Sequence, residues 1–276
     1  MKAEERSAGR VAGRRVHLLS VACTASLAVF LAGIAAVLAA DLSYVDRDAF
    51  RAALSSEPVR AAIALSAKTS AATLVLVLIA AVPIGYALSR FRFPGRTIAD
   101  AIVDLPIVLP PVVIGVSLLV FFQTAPGRWV EGTLLRFVYT VPGIVLCQFA
   151  VSASYAIRSA KAAFDSSDPA LEELALTLGS TRTQAFFRVA LPLARTGVLA
   201  GAILAWTRAV GLFAPLMVFT GAVRGKTEVM PTTIYLELSV GRIDLALAVA
   251  LILLALAGAA LLAIRLLVAR LSAWDA

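Results

Sequence analysis

Leu245–Ile264 reads LALAVALILLALAGAALLAI, twenty consecutive residues with no charged or hydrogen-bonding side chain. A hydrocarbon core about 30 Å thick is crossed by about 20 helical residues at a rise of about 1.5 Å each. A membrane-spanning β-strand would be about ten residues long and would alternate in polarity, which this stretch does not. The stretch therefore predicts a transmembrane helix.

Five further stretches of the same kind lie upstream. Four of them have 21 to 23 residues and no charge, and the fifth has 28 residues and one charge, Arg208. Each can cross a bilayer, so the sequence predicts an all-α integral membrane protein with six transmembrane helices. The five stretches are Leu18–Ala40, Thr69–Ser89, Leu105–Gly127, Phe137–Ile157 and Thr196–Val223.

The composition of the whole chain agrees with this prediction. Of its 276 residues, 61% are hydrophobic and 15% are charged, whereas soluble proteins have about 45–50% and about 25%. A water-soluble protein of this length has too little interior to bury so much hydrocarbon. The composition therefore excludes a soluble enzyme, a free nucleic-acid-binding protein and a disordered scaffold.

Basic residues predict the orientation of the helices. With Lys68 and Arg208 set aside, the first, third, fifth and seventh polar segments contain 15 Lys and Arg residues, and the other three contain 8. Because cytoplasmic loops carry the excess of basic residues, both termini are expected in the cytoplasm. The predicted units are a cytoplasmic tail (1–17), a permease domain (18–264) with a cytoplasmic loop at 158–195, and a cytoplasmic tail (265–276).

Few residues could support catalysis or metal binding. His17 is the single histidine, and Cys23 and Cys147 have no partner at metal-ligand spacing. Intramembrane catalysis would need paired acidic, His or Cys side chains on facing helices. Gly221–Thr227 (GAVRGKT) is one residue too short between its glycines for a phosphate-binding loop. We therefore expect this chain to be no enzyme and to bind no cofactor, nucleotide or metal.

The loop at 158–195 has a clear helical signature. Asp168 followed by Pro169 is a favourable helix start, and Gly179 is a favourable stop. Between them, Leu171, Leu174, Ala175 and Leu178 recur at helical spacing. This apolar stripe could fold back onto the membrane helices or dock into a groove of another protein, and periodicity alone leaves both alternatives open.

A second helix is predicted directly after the first. Thr181 and Gln184 have the spacing of a capping box. The helix is expected to run to Leu191-Pro192, just before the fifth span.

The same residues resemble a known motif. Glu173-Leu174-Ala175, Gly179 and Val189-Ala190-Leu191-Pro192 resemble the EAA loop of binding-protein-dependent ABC importer permeases. That loop has the pattern Glu-Ala-Ala, three residues, Gly, nine residues, Ile-x-Leu-Pro. Here Leu174 replaces one Ala and Val189 replaces Ile, while the spacing is kept over twenty residues.

Similarity to this family extends over residues 71–264. Gly85–Leu88, Arg90 and Phe93–Arg96 resemble the exit from the family's second span. Leu105–Pro111 and Met230–Leu236 are similar to segments of its molybdate, tungstate and sulfate branch.

The resemblance implies an ATP-driven importer and a set of partners. These are a cytoplasmic ABC ATPase dimer that binds ATP-Mg, an extracytoplasmic solute-binding protein, and a second permease copy, giving a homodimer. The implied location is the plasma (inner) membrane of a bacterium or archaeon, in contact with lipid and not with nucleic acid. The implied substrate is an oxyanion such as molybdate, tungstate or sulfate.

The resemblance also implies a surface that couples to the ATPase. Glu173 would orient the loop or meet a basic residue of the ATPase. Ala175 and Gly179 would permit close approach, and Leu191-Pro192 would fix the return of the chain to the membrane. The implied coupling residues are Glu173, Leu174, Ala175, Leu178, Gly179, Val189, Leu191 and Pro192.

Arg208 is the main candidate for the translocation pathway. An Arg at the centre of a span costs about 2.5–3.5 kcal/mol on insertion scales, so it is expected to face the interior or a water-filled cavity. The alternative is that the fifth stretch is two short pieces around Gly211 and Pro215, with Arg208 reaching the interface. Molybdate- and sulfate-type permeases typically have Arg-Ala-x-Gly-Glu-Phe-Gly here, and this chain has Leu212 in place of that Glu. The residues assigned to the pathway or gate are Arg208, Gly211, Pro106, Pro110 and Pro111.

Two other functions are alternatives to this one. A stand-alone channel or secondary carrier often shows inverted repeats or ionisable residues at mid-membrane. Arg208 would be the single such residue, and the loop helix would have no role. An ABC importer for a different small solute is the second alternative.

Overall fold

The computed structural model describes the backbone of residues 2–273 and the side chains of residues 20–266. All regular elements in that part of the chain are helices, which confirms the all-α class. They are α1 (Lys2–Tyr44), α2 (Arg47–Ser55), α3 (Glu57–Arg90), α4 (Arg96–Val108), α5 (Pro111–Gln123), α6 (Ala125–Thr133), α7 (Val141–Asp165), α8 (Pro169–Thr177), α9 (Arg182–Ala185), a π-helical turn (Phe186–Ala190), α10 (Leu191–Val210), α11 (Ala214–Phe219), α12 (Met230–Ser239) and α13 (Ile243–Ala273).

Five helical segments of the described chain are long and apolar enough to cross a membrane. The bent pair α4 and α5 makes a sixth if the two helices together count as one broken span. The five segments are Ser20–Tyr44, Glu57–Arg90, Val141–Asp165, Arg182–Val210 and Ile243–Leu266.

Helix α7 is the centre of the bundle and packs against both α3 and α10. It runs parallel to α3, because Thr73 donates to Gln148 at 2.9 Å near one end and Gly85 meets Ala160 near the other. It runs antiparallel to α10, because Gln148 donates to the Ala209 carbonyl at 3.0 Å and Ser159 donates to the Gly197 carbonyl at 2.7 Å.

Glycines permit these close contacts. A Cβ added to Gly85 would lie 2.8 Å from the Ala160 Cβ, and one added to Gly197 would lie 2.4 Å from the Ala163 Cβ. Gly201 is equally tight, because its added Cβ would lie 2.6 Å from the Ser159 Cβ. The spacing of Gly197 and Gly201 therefore serves packing of α10 against α7 within the chain.

The third predicted stretch, Leu105–Gly127, is not one continuous helix. Helix α4 ends at Val108, α5 begins at Pro111, and their axes are bent by 113°. Proline lacks a backbone N–H and forces the residue before it into extended conformation. Leu109, which precedes Pro110, accordingly has a ψ of 140°.

The fifth predicted stretch, Thr196–Val223, is also interrupted. Helix α10 ends at Val210, Gly211 caps it, and the short α11 begins at Ala214. The helix therefore breaks around Gly211 and Pro215, but only the second piece is short, since Arg182–Val210 is long enough to cross a membrane. Helix α11 packs on α5, where a Cβ added to Gly115 would lie 2.7 Å from the Pro215 Cα.

The segment before the second predicted stretch is helical over most of its length. Helix α2 is amphipathic, and one of its residues, Ala53, is buried. Helix α3 begins at Glu57 with Pro58 in its first turn, a position that proline favours. Val59 and Ala53 pack with Met230 and Val249, so this part of the chain joins the bundle.

Candidate functional site

The loop helix α8 is closed at both ends as predicted. The Asp168 side chain accepts a hydrogen bond from the Ala170 N–H at 2.9 Å, and Pro169 is the first helical residue. Gly179 has a φ of +90°, which an L side chain rarely adopts. The Ser180 N–H donates to the Ala175 carbonyl at 3.0 Å, so the last carbonyls are satisfied in a Schellman motif. These caps hold a nine-residue helix that would be unstable alone.

The second loop helix starts as predicted and ends differently. Thr181 and Gln184 form the capping box with distances of 3.0 and 3.2 Å. The prediction that this helix stops at Leu191-Pro192 is wrong, because α9 continues through the π-helical turn into α10. Leu191 donates to the Phe186 carbonyl five residues back. This wider turn lets Pro192, which has no N–H, sit within a continuous helix.

The leucine stripe of α8 does not fold back onto the bundle. Leu171, Leu174 and Leu178 are 43%, 56% and 79% exposed, and no residue of α8 is buried. Of the two alternatives for this stripe, folding back is therefore wrong. A capped helix with an unburied apolar face is what a docking surface requires.

The predicted coupling residues lie along one segment, with different exposure. Ala175, Val189 and Leu191 are half-buried. Gly179 has open space around it, with no atom within 4 Å of an added Cβ. The exposed members are Glu173, Leu174, Leu178, Gly179 and Pro192.

Glu172, which sequence reasoning did not select, is the acidic residue that faces the bundle. Its Oε1 accepts from the Arg90 Nε at 2.8 Å, and its Oε2 accepts from the Tyr86 hydroxyl at 2.6 Å. The side chains of Arg90 and Glu172 are 11% and 12% exposed. The Arg90 Nη2 also donates to the Ser167 hydroxyl at 2.8 Å and to its carbonyl at 3.0 Å. The resemblance pointed to Glu173, and nothing in one sequence says which neighbouring acid points inward.

An aromatic cluster surrounds Tyr86. Its ring makes edge-to-face contacts with Phe91, Phe164 and Phe186, with centroids 5.6, 5.2 and 4.7 Å away. These rings come from the chain after α3, from α7 and from the π-helical turn. The cluster therefore ties together the elements on which α8 rests.

Arg208 lies in the last turn of α10, directly before the break at Gly211. Its guanidinium lies over the Tyr155 ring, 4.9 Å from the centroid, and the residue is exposed. Among residues 20–266, no carboxylate lies within ion-pair distance of it. Leu212, which replaces the branch's Glu, is buried in an apolar cluster.

The other predicted pathway residues are spread over two regions. Gly211 is exposed and opens to a cleft of about 300 Å³ with Ile234 and residues of α13. Pro106, Pro110 and Pro111 lie at the α4–α5 bend. The structure does not gather them into one cavity with Arg208.

A second unpredicted ion-pair cluster fixes α4 on α7. Arg158 pairs with Asp104, and its Nη1 lies 2.7 Å from the Asp100 Oδ1. Its Nη2 also donates to the Asp100 carbonyl at 2.6 Å. The carboxylates at 100 and 104 are one helical turn apart, a spacing that could have indicated a shared basic partner.

A pair of buried glutamates lies between α11 and the end of α12. Glu237 pairs with Arg224 at 2.6 Å and with Arg242 at 2.8 Å. Glu228 is 3% exposed, and neither of its carboxylate oxygens has a hydrogen-bond partner in the described chain. Burial raises the pKa of the Glu228 carboxyl above its usual 4.5, while the nearby Thr233 side chain and the Arg224 charge lower it and the Glu237 charge adds to the rise. Within the described residues, no three or more acidic, His or Cys side chains form a metal-binding group.

Comparison with known proteins identifies the family. Residues 79–273 match the family described as "Binding-protein-dependent transport system inner membrane component". The "Molybdenum transport system permease protein ModB" of Mycobacterium tuberculosis is 34% identical over 80% of this chain and 84% of its own length. The Escherichia coli "Sulfate transport system permease protein CysT" is 35% identical over 61% of each chain. The Pyrococcus abyssi "Molybdate/tungstate transport system permease protein WtpB" is 38% identical over 51% of this chain and 53% of its own length.

Solved structures share the fold. A chain of a bacterial alginate ABC transporter, in complex with an alginate pentasaccharide-bound periplasmic protein, superposes with a TM-score of 0.76 at 20% identity, covering 94% of this chain and 96% of that one. A chain of the MetNI methionine ABC transporter gives a TM-score of 0.57 at 19% identity over 78% of this chain and 97% of that one.

This chain therefore belongs to the family of binding-protein-dependent transport system inner membrane components, and the resemblance stated from the EAA-like loop is confirmed. It is a multi-pass membrane permease of the ABC importer class.

Proposed function

We propose that this chain is the permease of an ATP-driven importer for a tetrahedral oxyanion, such as molybdate, tungstate or sulfate, in the plasma membrane of a bacterium or archaeon. The relatives at 34–38% identity carry the names of molybdenum, sulfate and molybdate/tungstate permeases. We therefore propose a substrate of the same class for this chain. An importer for another small solute is the alternative that the uptake experiment below distinguishes.

The proposed topology has six spans with both termini in the cytoplasm. Helices α3 and α7 run in the same direction, and Arg90 at the end of α3 meets Ser167 just after α7. Two parallel spans require one return crossing between them, which the α4–α5 pair supplies. Six spans put both termini on one side, in agreement with the excess of basic residues in alternate segments. The units are then the tail 1–17, the permease domain 18–264 and the tail 265–276.

The exposed leucines of the capped helix α8 carry the proposed coupling to an ATPase. Leu174 and Leu178 would enter a groove of the ATPase, with Glu173 at the rim. Gly179 leaves room for close approach. Two ATPase subunits would bind ATP-Mg, and each would hold the loop of one permease in a homodimer. An external solute-binding protein would deliver the substrate to the opposite face.

Arg208 is the proposed anion contact of the pathway. Its only described partner is the Tyr155 ring, and a guanidinium over an aromatic face keeps its charge and its donors available. The carboxylate that the oxyanion branch typically has four residues later is replaced by Leu212, so that carboxylate does not compete for the guanidinium here. The broken helices at Pro106, Pro110, Pro111 and Gly211 would line or gate the route, because irregular backbone at membrane depth is tolerated beside protein or a water-filled cavity.

Uptake by a reconstituted complex tests this proposal. The chain, its ATPase and its binding protein are placed in proteoliposomes, and entry of labelled molybdate, tungstate and sulfate is measured with and without ATP. We expect ATP-dependent uptake of at least one oxyanion. Arg208→Leu should abolish most of it, and the matched Arg208→Lys variant should retain part, since the charge remains. Uptake without ATP or binding protein would instead indicate a stand-alone carrier.

A further inference from the structure

The two neighbouring acids at the start of α8 have opposite surroundings. Glu173 is exposed, and no described residue forms a hydrogen bond or ion pair with it. Glu172 is almost buried, and both of its carboxylate oxygens are hydrogen-bonded, one to Arg90 and one to Tyr86. Glu172 is therefore held by this chain, and Glu173 is left accessible to a partner.

The hydrogen bonds of Glu172 cross a cleft between α8 and α3. A cleft of about 550 Å³ separates α8 and α9 from the end of α3. Glu172 crosses it and meets side chains of α3, while Leu171, Leu174 and Leu178 remain outside. The cleft is lined by Tyr86, Arg90, Glu172, Glu173, Leu176 and Arg182, among others.

Arg90 fixes both α8 and the connection that leads to it. Its Nε bonds to Glu172 in the first turn of α8, and its Nη2 bonds to Ser167, just before the Asp168 cap. A planar guanidinium holding two partners on different edges fixes their relative orientation. The aromatic contacts of Tyr86 with Phe164 and Phe186 extend the connection to α7 and to the π-helical turn.

We propose that Arg90, Glu172 and Tyr86 are positioning residues that lock α8 to α3, so that the two helices move as one body during transport. This inference rests on the proposed function, because it assigns the path by which displacement of α8 by the ATPase reaches the membrane helices. Helix α3 packs tightly along α7 through Gly85, so a displacement delivered to the end of α3 reaches the centre of the bundle. Without the lock, α8 can tilt across the cleft while the spans stay in place.

A cysteine pair tests the lock directly. Arg90→Cys and Glu172→Cys are combined in a chain in which Cys23 and Cys147 are replaced by Ala, and the complex is reconstituted with its ATPase and binding protein. The ion pair is absent from this variant. A short bifunctional thiol reagent then replaces it with a covalent link between positions 90 and 172. The chain with only the Cys23 and Cys147 replacements, treated with the same reagent, is the control.

Three quantities are measured: ATPase association, ATP hydrolysis and substrate uptake per ATP. Before cross-linking, we expect uptake per ATP to fall by about tenfold or more, within the range of coupling between sites, with ATPase association little changed. Cross-linking should restore most of the uptake. If α8 has to slide against α3, cross-linking will instead block uptake, and this result would overturn the proposal.

Charge reversal gives an independent readout. Arg90→Glu and Glu172→Arg should each uncouple hydrolysis from uptake, and the double exchange should recover part of the coupling. Tyr86→Phe, which removes one hydroxyl and keeps the aromatic cluster, should give a smaller loss in the same direction. Full coupling in all of these variants would refute the lock. Failure of the unmodified chain to show ATP-dependent uptake would refute the proposed function itself, so the two failures are distinguishable.

Discussion

Two glutamates with little solvent exposure, Glu172 and Glu228, lie beside different parts of α3 and have different surroundings. Glu172 accepts hydrogen bonds from Arg90 and Tyr86. Glu228 is two residues before Met230, whose N–H donates to the Ser66 hydroxyl of α3. The carboxylate oxygens of Glu228 have no hydrogen-bond partner among the described residues. Residues 66 and 90 are 24 positions apart in one helix, which corresponds to about 36 Å at a rise of about 1.5 Å per residue.

The hydrogen bonds of Glu172 give it a structural role, whereas the surroundings of Glu228 affect its protonation. A buried carboxylate with charged and hydroxyl donors is a directional connection, and removing one partner leaves the other desolvated. A buried carboxylate without donors disfavours its own charge, so its pKa rises. The proposed coupling end of the molecule is therefore built from satisfied polar contacts, and the opposite end contains one that is not satisfied.

The largest effect is expected at the coupling end. Glu172→Gln removes the charge that balances Arg90, and we expect a loss of about 2–3 kcal/mol in the free energy of unfolding, as for a hydrogen bond to a charged group in a buried site. The matched variant Glu173→Gln alters an exposed side chain and should change stability by less than about 0.5 kcal/mol. Thermal unfolding of the detergent-solubilised chain measures both. Equal effects at the two positions would contradict the inward role of Glu172.

The cap of α8 gives an intermediate effect. Gly179→Ala forces an L side chain into left-handed conformation at φ +90°, which costs about 1–2 kcal/mol. Gly132 also has open space around it but no positive φ, so Gly132→Ala is the control and should not destabilise α6. Hydrogen exchange of α8 amides should accelerate in the first variant only. An unchanged exchange rate would mean that the Schellman cap does not hold the helix.

The smallest effect is expected at the opposite end, and it depends on pH. The raised pKa of Glu228 means that the folded chain holds this proton more tightly than the unfolded chain. The Glu228 carboxyl therefore stabilises the folded chain below its usual pKa of 4.5. This contribution to the free energy of unfolding is lost as pH rises through the raised pKa. Glu228→Gln should therefore melt a few degrees higher than the unmodified chain near neutral pH, with the advantage shrinking on acidification. Glu237→Gln, which breaks two ion pairs, should melt lower, and a lower melting point for Glu228→Gln would contradict this account.

Local chain chemistry allowed much of the coupling loop to be predicted. Asp168, Pro169, Gly179 and the Thr181–Gln184 box act on backbone groups within a few residues of themselves, so their effects can be read from sequence. Hydropathy likewise located the apolar stretches.

The missed features depend on contacts between distant segments or on proline geometry. The bond between Glu172 and Arg90 joins residues 82 positions apart, and the cluster at Arg158 joins residues 54 and 58 positions apart. Hydropathy counts apolar residues and does not register that Pro110 and Pro111 end one helix and begin another. Hydropathy therefore gave the limits of the third and fifth stretches but not the ends of the helices within them, and a break around Gly211 and Pro215 was one of the alternatives that the sequence left open.

The central claim is that the exposed leucines of α8 are the surface that the ATPase holds. The most direct measurement is the affinity of the solubilised permease for its ATPase, with Leu178→Asp compared with Leu54→Asp. Leu54 is 45% exposed on α2 and is far from α8 in sequence. Leu54→Asp is therefore the control, because it makes the same substitution outside the proposed docking surface. We predict that Leu178→Asp weakens association by about a hundredfold, the cost of burying a charge in an apolar groove, and that Leu54→Asp leaves it unchanged. Equal affinity of both variants for the ATPase would contradict the account.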